Sequence, residues 1–348
     1  MVMREWRLHR RWLCLLALAP LSCSDVVITA PVEDAIVADG VFWVKRCEPE
    51  HMSPGYTLVY PLEGSTLYWL RNCEVARTMD MPGRIGMVRQ DSAGVYGLVG
   101  SSILAFDADG TRRFAVYRDQ LPGPAHHDVI ATSRGTYMAL TKVEVESGVF
   151  DDVIVEVTTS GEILWQWSAN LHLLGAVDGS VALPGEQWLH SNSLDLYPDG
   201  DILLSARNLD MLVRVDYPSG EVRWTRGDDV LGKQHHANLG PGQHVVVFDN
   251  GVRRGESGVV VFHPDAGVEL DRRLGFFSDA FGSAEHLPNG NWLVVDGRGG
   301  RVLEYARDFS RLVFELKLLR GNYIPYASDP DEPVRAFLYR AHRVPALP

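Results

Sequence analysis

The chain has little of what marks the familiar enzyme classes. Of its 348 residues only four are cysteines, Cys14, Cys23, Cys47 and Cys73. Their spacing matches no thiolate metal site. There is no Gly-x-Ser-x-Gly elbow to present a nucleophilic serine. Gly297-Arg298-Gly299-Gly300 lacks the Lys-Ser/Thr and the strand-to-helix setting of a phosphate loop. Asp107-Ala108-Asp109-Gly110 lacks the remaining ligands and closing Glu of a calcium loop and reads as a hairpin turn. No segment carries a long apolar helical period. Beyond the N-terminus, no apolar run is long enough to span a bilayer. Positive charge is scarce too: 33 Lys and Arg face 45 Asp and Glu, a net charge of −12. An acidic surface argues against a nucleic-acid partner and against a basic membrane-binding face, and leaves a locally positive pocket open.

The N-terminus has a different composition. Four arginines in MVMREWRLHRR precede the apolar run Trp12–Leu21 and then Ser22-Cys23. This is the layout of an export signal over residues 1–22, too short for a mature membrane helix. Ser22-Cys23 reads as a lipobox end, with Cys23 the lipidated N-terminus of an exported protein that is periplasmic or at the cell surface. Pro20 and Leu21 are not the usual preceding pair, and plain cleavage near Ser22 is the alternative. Removing residues 1–22 takes away four arginines and one glutamate, leaving a net charge of −15. In an oxidising compartment the remaining even pair, Cys47 and Cys73, is expected to form a disulfide.

What the chain has in quantity is short alternating apolar runs separated by Asp-Gly, Asn-Gly, Ser-Gly and Pro-Gly, dipeptides suited to the positive φ of tight hairpins. LHSNSLDLYPDGDILLSARNLDMLVRVDYPSGEVRWTRG holds four such runs in about forty residues, the size of one propeller blade. Ser160-Gly161-Glu162 and Trp165 of another unit match Ser219-Gly220-Glu221 and Trp224 of this one. Six units can be laid on the template, giving an all-β six-bladed β-propeller. The expected organisation is a signal over 1–22, a short N-terminal β extension over 24–54, the propeller over 55–330 and a C-terminal tail over 331–348. Residues 169–187 read as an inserted loop.

Histidines recur where units begin: His127, His190, His235 and His286. A polar residue at one point of a circular repeat places those side chains on one face, where propellers hold ligands. WLHSNSLDLYPDGDILLSAR, QHHANLGPGQHVVVFDNG and EHLPNGNWLVVDG together resemble the bacterial aryl-sulfate sulfotransferases that use no nucleotide sulfate donor. The resemblance runs over roughly residues 55–320. It implies a propeller enzyme that moves a sulfuryl group from a phenolic sulfate ester to a phenol through a covalent sulfohistidine, in ping-pong order. It implies small-molecule partners, no organic cofactor and no metal. Carried over by motif, Gln234-His235 makes His235 the nucleophile. His190-Ser191-Asn192-Ser193 and Ser205-Ala206-Arg207 supply His190 and Arg207, and His126-His127-Asp128 supplies His127. His126, His236 and Asn192 join as substrate-binding residues, with Asn192 read as orienting His190. His236 beside His235 leaves the nucleophile's register open by one residue. The larger N-terminal sandwich of some members has no counterpart in residues 24–54.

These residue types suit the reaction on their own chemistry. A neutral imidazole is a good nucleophile near pH 7, and arginine's planar fork of donors fits sulfate oxygens. Further imidazoles can donate to those oxygens or protonate a departing phenolate. Structural readings stand beside these: an ion pair of Arg207 with Asp195 or Asp210, a packing role for His286, and turn-making roles for Asn192 and Asn250. The competing function is a non-catalytic surface propeller that binds a protein or carbohydrate partner, since the fold hosts many functions.

Overall fold

The computed structural model describes residues 35–37, 40–146, 148–173, 188–227, 229–263, 265–319 and 337–348. The export segment and Cys23 lie outside the described residues, as does the inserted stretch beyond the short helix Ala169–Leu173.

Six antiparallel sheets form a ring, a six-bladed β-propeller with almost no helix. From the channel outward, blade 2 runs Ile85–Asp91, Gly94–Val99, Ser102–Phe106 and Arg112–Val116. The inner strands of blades 3, 4, 5 and 6 are Ala125–Ala131, Ser191–Leu196, His235–Leu239 and Ser283–His286. The turn dipeptides act as read. In Tyr197-Pro198-Asp199-Gly200 the amide of Gly200 bonds Tyr197 O at 2.9 Å, with Gly200 at φ 97°. Leu287-Pro288-Asn289-Gly290 repeats this two blades on, with Gly290 at φ 90°. Glycine takes that left-handed conformation without steric penalty.

Apolar side chains fill the spaces between blades. Leu204 and Met138 pack between blades 3 and 4, and Leu203 and Val247 between 4 and 5. Val246 and Val294 do so between 5 and 6, and Val59 and Val295 between 6 and 1. Each blade therefore buries its faces only against two neighbours, and the ring has to close to remove the last exposed face from water.

Closure corrects the expected boundaries. Residues 331–348 were expected to be a tail. Leu338–Val344 is instead the inner strand of blade 1, paired with Tyr56–Pro61. The strand is inconspicuous in sequence because its partners are polar. Arg340, His342 and Arg343 bond Asp128, Glu285 and Glu304, so no alternating apolar signal exists. From the other end, Phe42–Cys47 and Ala35–Val37 add two outer strands to blade 6. The Cys47–Cys73 disulfide then joins the outer edge of blade 6 to the Arg71–Glu74 turn of blade 1, across the seam. It closes a loop of 26 residues of sequence separation, for which chain-entropy arguments give about 3.5 kcal/mol. Replacing both cysteines with serine should lower the unfolding free energy by roughly that amount in denaturant titrations. An unchanged midpoint would show that the seam does not limit stability.

Candidate functional site

The inner strands of blades 3, 4 and 5 carry the site, and each has a register irregularity at its start. Breaks fall between Ala125 and Val129, Ser191 and Ser193, and His235 and Asn238. At these points His127, His190 and His236 adopt φ of 56°, 51° and 48°, and Phe281 of blade 6 adopts 62°. Left-handed backbone is unfavourable for such residues by roughly 1–2 kcal/mol each. It breaks the strict in–out alternation of a strand and re-aims consecutive side chains.

Three of the expected histidines meet there. The rings of His127 and His190 lie 4.8 Å apart, edge to face. Tyr339 of the closing strand stands 6.2 Å from His127 and 6.5 Å from His235. Arg207 is tied to the same point: its amide bonds His190 O at 3.3 Å, and Ala206 pairs with Ser191. Its guanidinium bonds Asn208 Oδ1 at 3.0 Å and, among the described residues, forms no ion pair with Asp195, Asp210 or any other carboxylate. Asp210 is held by Lys233 and Arg253 instead.

His235 has a fixed tautomer. Its Nδ1 is 2.6 Å from Asn250 Oδ1. The Asn250 amide nitrogen donates to Ser278 O at 2.7 Å and Phe281 O at 2.9 Å, so the oxygen is the atom left for the ring. Nδ1 of His235 therefore carries the proton and donates it, and Nε2 keeps its lone pair. Gln234 anchors the backbone beside it by donating to Ser205 Oγ, Ala206 O and Met211 O. Burial, helped by Arg207 and His190 and opposed by the Asn250 bond, pushes the His235 pKa down to about 3. Burial and Arg207 take His190 to about 4, against the pull of Asp152. Burial and the neighbouring His190 and His126 hold His127 well below the usual range. All three rings are neutral near pH 7.

The remaining expected residues are placed differently from one another. His126 links His127 to a carboxylate: Nδ1 of each ring is 2.7 Å from the other, and His126 Nε2 is 3.4 Å from Asp152 Oδ1. Asn192 does not orient His190. Its amide donates to Gln234 O at 2.7 Å, while its own carbonyl accepts from Tyr339 and Arg340. His236 does not join the ring of histidines; it packs on His342 with centroids 5.9 Å apart. His286 stacks edge to face on Trp292, as its packing reading expects.

Below the histidines lies a buried charge cluster that the sequence reading missed. Asp128, fully buried, accepts from Arg340 at 2.7 Å, from Arg89 at 3.2 Å and from the Leu194 amide at 3.0 Å. Burial works to raise its pKa, but Arg340 and Arg89 outweigh that and hold it low. Asn250, Asp152 and Tyr339 were likewise not assigned to the site. Their only sequence signals were the Asp-Asn before a turn glycine, an Asp-Asp pair in a β-rich run, and a Tyr-Arg near the C-terminus.

The arylsulfotransferase (ASST) family model matches residues 29–230, a span that includes His127, His190 and Arg207 and ends before His235. No curated protein matches the chain. Among solved structures, a protein of unknown function from Bacteroides caccae is 12% identical, covers 83% of this chain and 98% of its own, and has a TM-score of 0.57. Virginiamycin B lyase from Staphylococcus aureus is 9% identical, with coverage of 81% and 90% and a TM-score of 0.48. At these identities the likeness is one of fold alone.

The depressed histidine pKa values carry a stability signature. A His at 6.5 when unfolded and about 3 when folded leaves the unfolded state binding more protons at every pH between. Stability is therefore full above pH 6.5 and falls on acidification, by on the order of 2 kcal/mol per such group between pH 7 and pH 5. His235→Asn should flatten the loss of denaturation midpoint over that interval. A parallel pH dependence in variant and wild type would contradict a neutral, desolvated His235.

Proposed function

The chain belongs to the arylsulfotransferase family, and on that premise we propose that it transfers a sulfuryl group from a phenolic sulfate ester to a phenol through a sulfohistidine at His235. The observation that carries this reading is the His235–Asn250 bond, which commits Nδ1 to donation and leaves Nε2 as the nucleophile. In the first half-reaction Nε2 attacks sulfur; an N–S bond forms as the sulfur–aryloxide bond breaks. Asn250 Oδ1 keeps the Nδ1 proton of the resulting imidazolium bonded. In the second, the acceptor's oxygen bonds sulfur, the N–S bond breaks, and neutral His235 is restored.

Arg207, free of any carboxylate partner among the described residues, holds the sulfuryl oxygens with its planar fork. His190 and Tyr339 complete the wall around them. His127 carries the proton, giving it to the departing aryloxide and taking one from the acceptor phenol. Asp152, 3.4 Å from His126, places a carboxylate behind the His126–His127 contact. A bound sulfate ester, itself an anion, favours protonation of His127 and offsets the desolvation that holds its pKa low in the ester's absence.

Export, lipid attachment at Cys23 and a periplasmic or cell-surface location belong to the same proposal and rest on residues 1–23. Among the described residues no helix is long and apolar enough to cross a membrane.

His235→Asn should lower turnover of a chromogenic aryl sulfate at least 1000-fold while the fold is kept. Asn250→Ala should lower kcat about 100-fold with KM little changed, because the wrong tautomer becomes available. Wild-type kcat in His235→Asn would remove His235 from the reaction, and in Asn250→Ala it would remove the tautomer lock.

A further inference from the structure

A second cluster of ligating side chains stands on the inner strands, apart from the histidines around His235. His236 of blade 5, Glu285 of blade 6 and His342 of blade 1 each offer an atom within 4.8 Å of the other two. They come from three consecutive blades. Glu285 Oε1 accepts from His342 Nδ1, and Oε2 lies 3.2 Å from the Arg343 amide. Nδ1 of His236 lies 3.4 Å from the Asn238 amide nitrogen. The Nε2 atoms of His236 and His342 are both buried and have no protein partner. These residues are only 1% and 9% exposed. A buried imidazole with an unanswered nitrogen is unfavourable unless something occupies the space beside it.

The nearby arginines do not answer it. Arg89 and Arg340 are engaged by Asp128, and Arg343 by Glu304 and Ser53 O. Two imidazoles whose outer nitrogens are uncommitted, with one carboxylate, make a nitrogen-rich three-ligand set. Such a set suits zinc-class divalent ions, with water completing the shell, and does not suit magnesium or calcium, which take oxygen ligands. Partial exposure of the Glu285 side chain, 19%, provides an approach.

We propose that His236, Glu285 and His342 form a binding site for a zinc-class divalent ion. The ion clasps the closing C-terminal strand to blades 5 and 6, apart from the sulfuryl-transfer residues. Ligand atoms around zinc sit roughly 3.3 Å apart, so binding closes the widest separation by up to about 1.5 Å and parts Glu285 from His342 Nδ1.

The test is to strip the protein with chelator, add ZnCl2 at micromolar concentration, and count zinc per chain after gel filtration. One ion per chain is expected, with a raised Tm. Glu285→Gln and His342→Gln should each cut retention at least tenfold. His190→Asn, in the other cluster, should keep one ion. No retained zinc would overturn the proposal, as would retention unchanged in Glu285→Gln or lost in His190→Asn alone. Because Glu285 also bonds Arg343, a second reading uses the wild-type chain. Co2+ in place of zinc should give visible ligand-field absorption from nitrogen and oxygen ligation, and its absence would also overturn the site.

Discussion

The structure turns on one buried carboxylate. Asp128 accepts from Arg340 of blade 1, Arg89 of blade 2 and the Leu194 amide of blade 4, while its own backbone belongs to blade 3. Four of six blades thus meet at one atom cluster on the channel side. Removing one partner of such a pair would leave an uncompensated buried charge, typically a loss of 3–5 kcal/mol. The cluster therefore fixes blade positions more strictly than apolar packing, which tolerates small slips. It also explains why the closing strand is polar: a C-terminal strand that docks through Arg340 can dock in one register only.

That floor shapes the chemistry above it. Asp128 follows His127 directly, so the carboxylate that ties the blades together also sets where the first histidine emerges. Arg340 reaches from Asp128 to the Asn192 carbonyl, and Asn192 reaches on to Gln234 beside His235. The result is a continuous hydrogen-bonded path from the floor to the backbone beside His235. Around it, burial keeps the imidazoles neutral, and a half-buried Arg207 supplies the positive charge. A site built for an anion ordinarily gathers cations. Here burial keeps His235 neutral beside Arg207, which leaves a lone pair on Nε2. Left-handed backbone at His127 and His190 is the local strain that this aim requires.

Much of this was legible beforehand, for definable reasons. Gly200 and Gly290 sit in turns whose geometry demands them, so the blade repeat shows in the sequence. That His127, His190, Arg207 and His235 lie close together was legible through that repeat and the resemblance it carries. The register between His235 and His236 was not, because adjacent identical residues are separated only by a backbone irregularity that no sequence pattern encodes. Asn192 and Asn250 were ambiguous for another reason: asparagine is common in turns, and only a second partner, Gln234 O or the His235 ring, tells the roles apart. Leu338–Val344 escaped notice because its burial is satisfied by charge pairing, which leaves no hydrophobic period to count.

The most direct test is the intact mass of the protein after brief exposure to excess aryl sulfate with no acceptor present. A gain of one sulfuryl group, mapped to His235, absent in His235→Asn and discharged by added phenol, is the expected result. An unmodified mass while phenol is released from the donor would contradict a covalent sulfohistidine at His235.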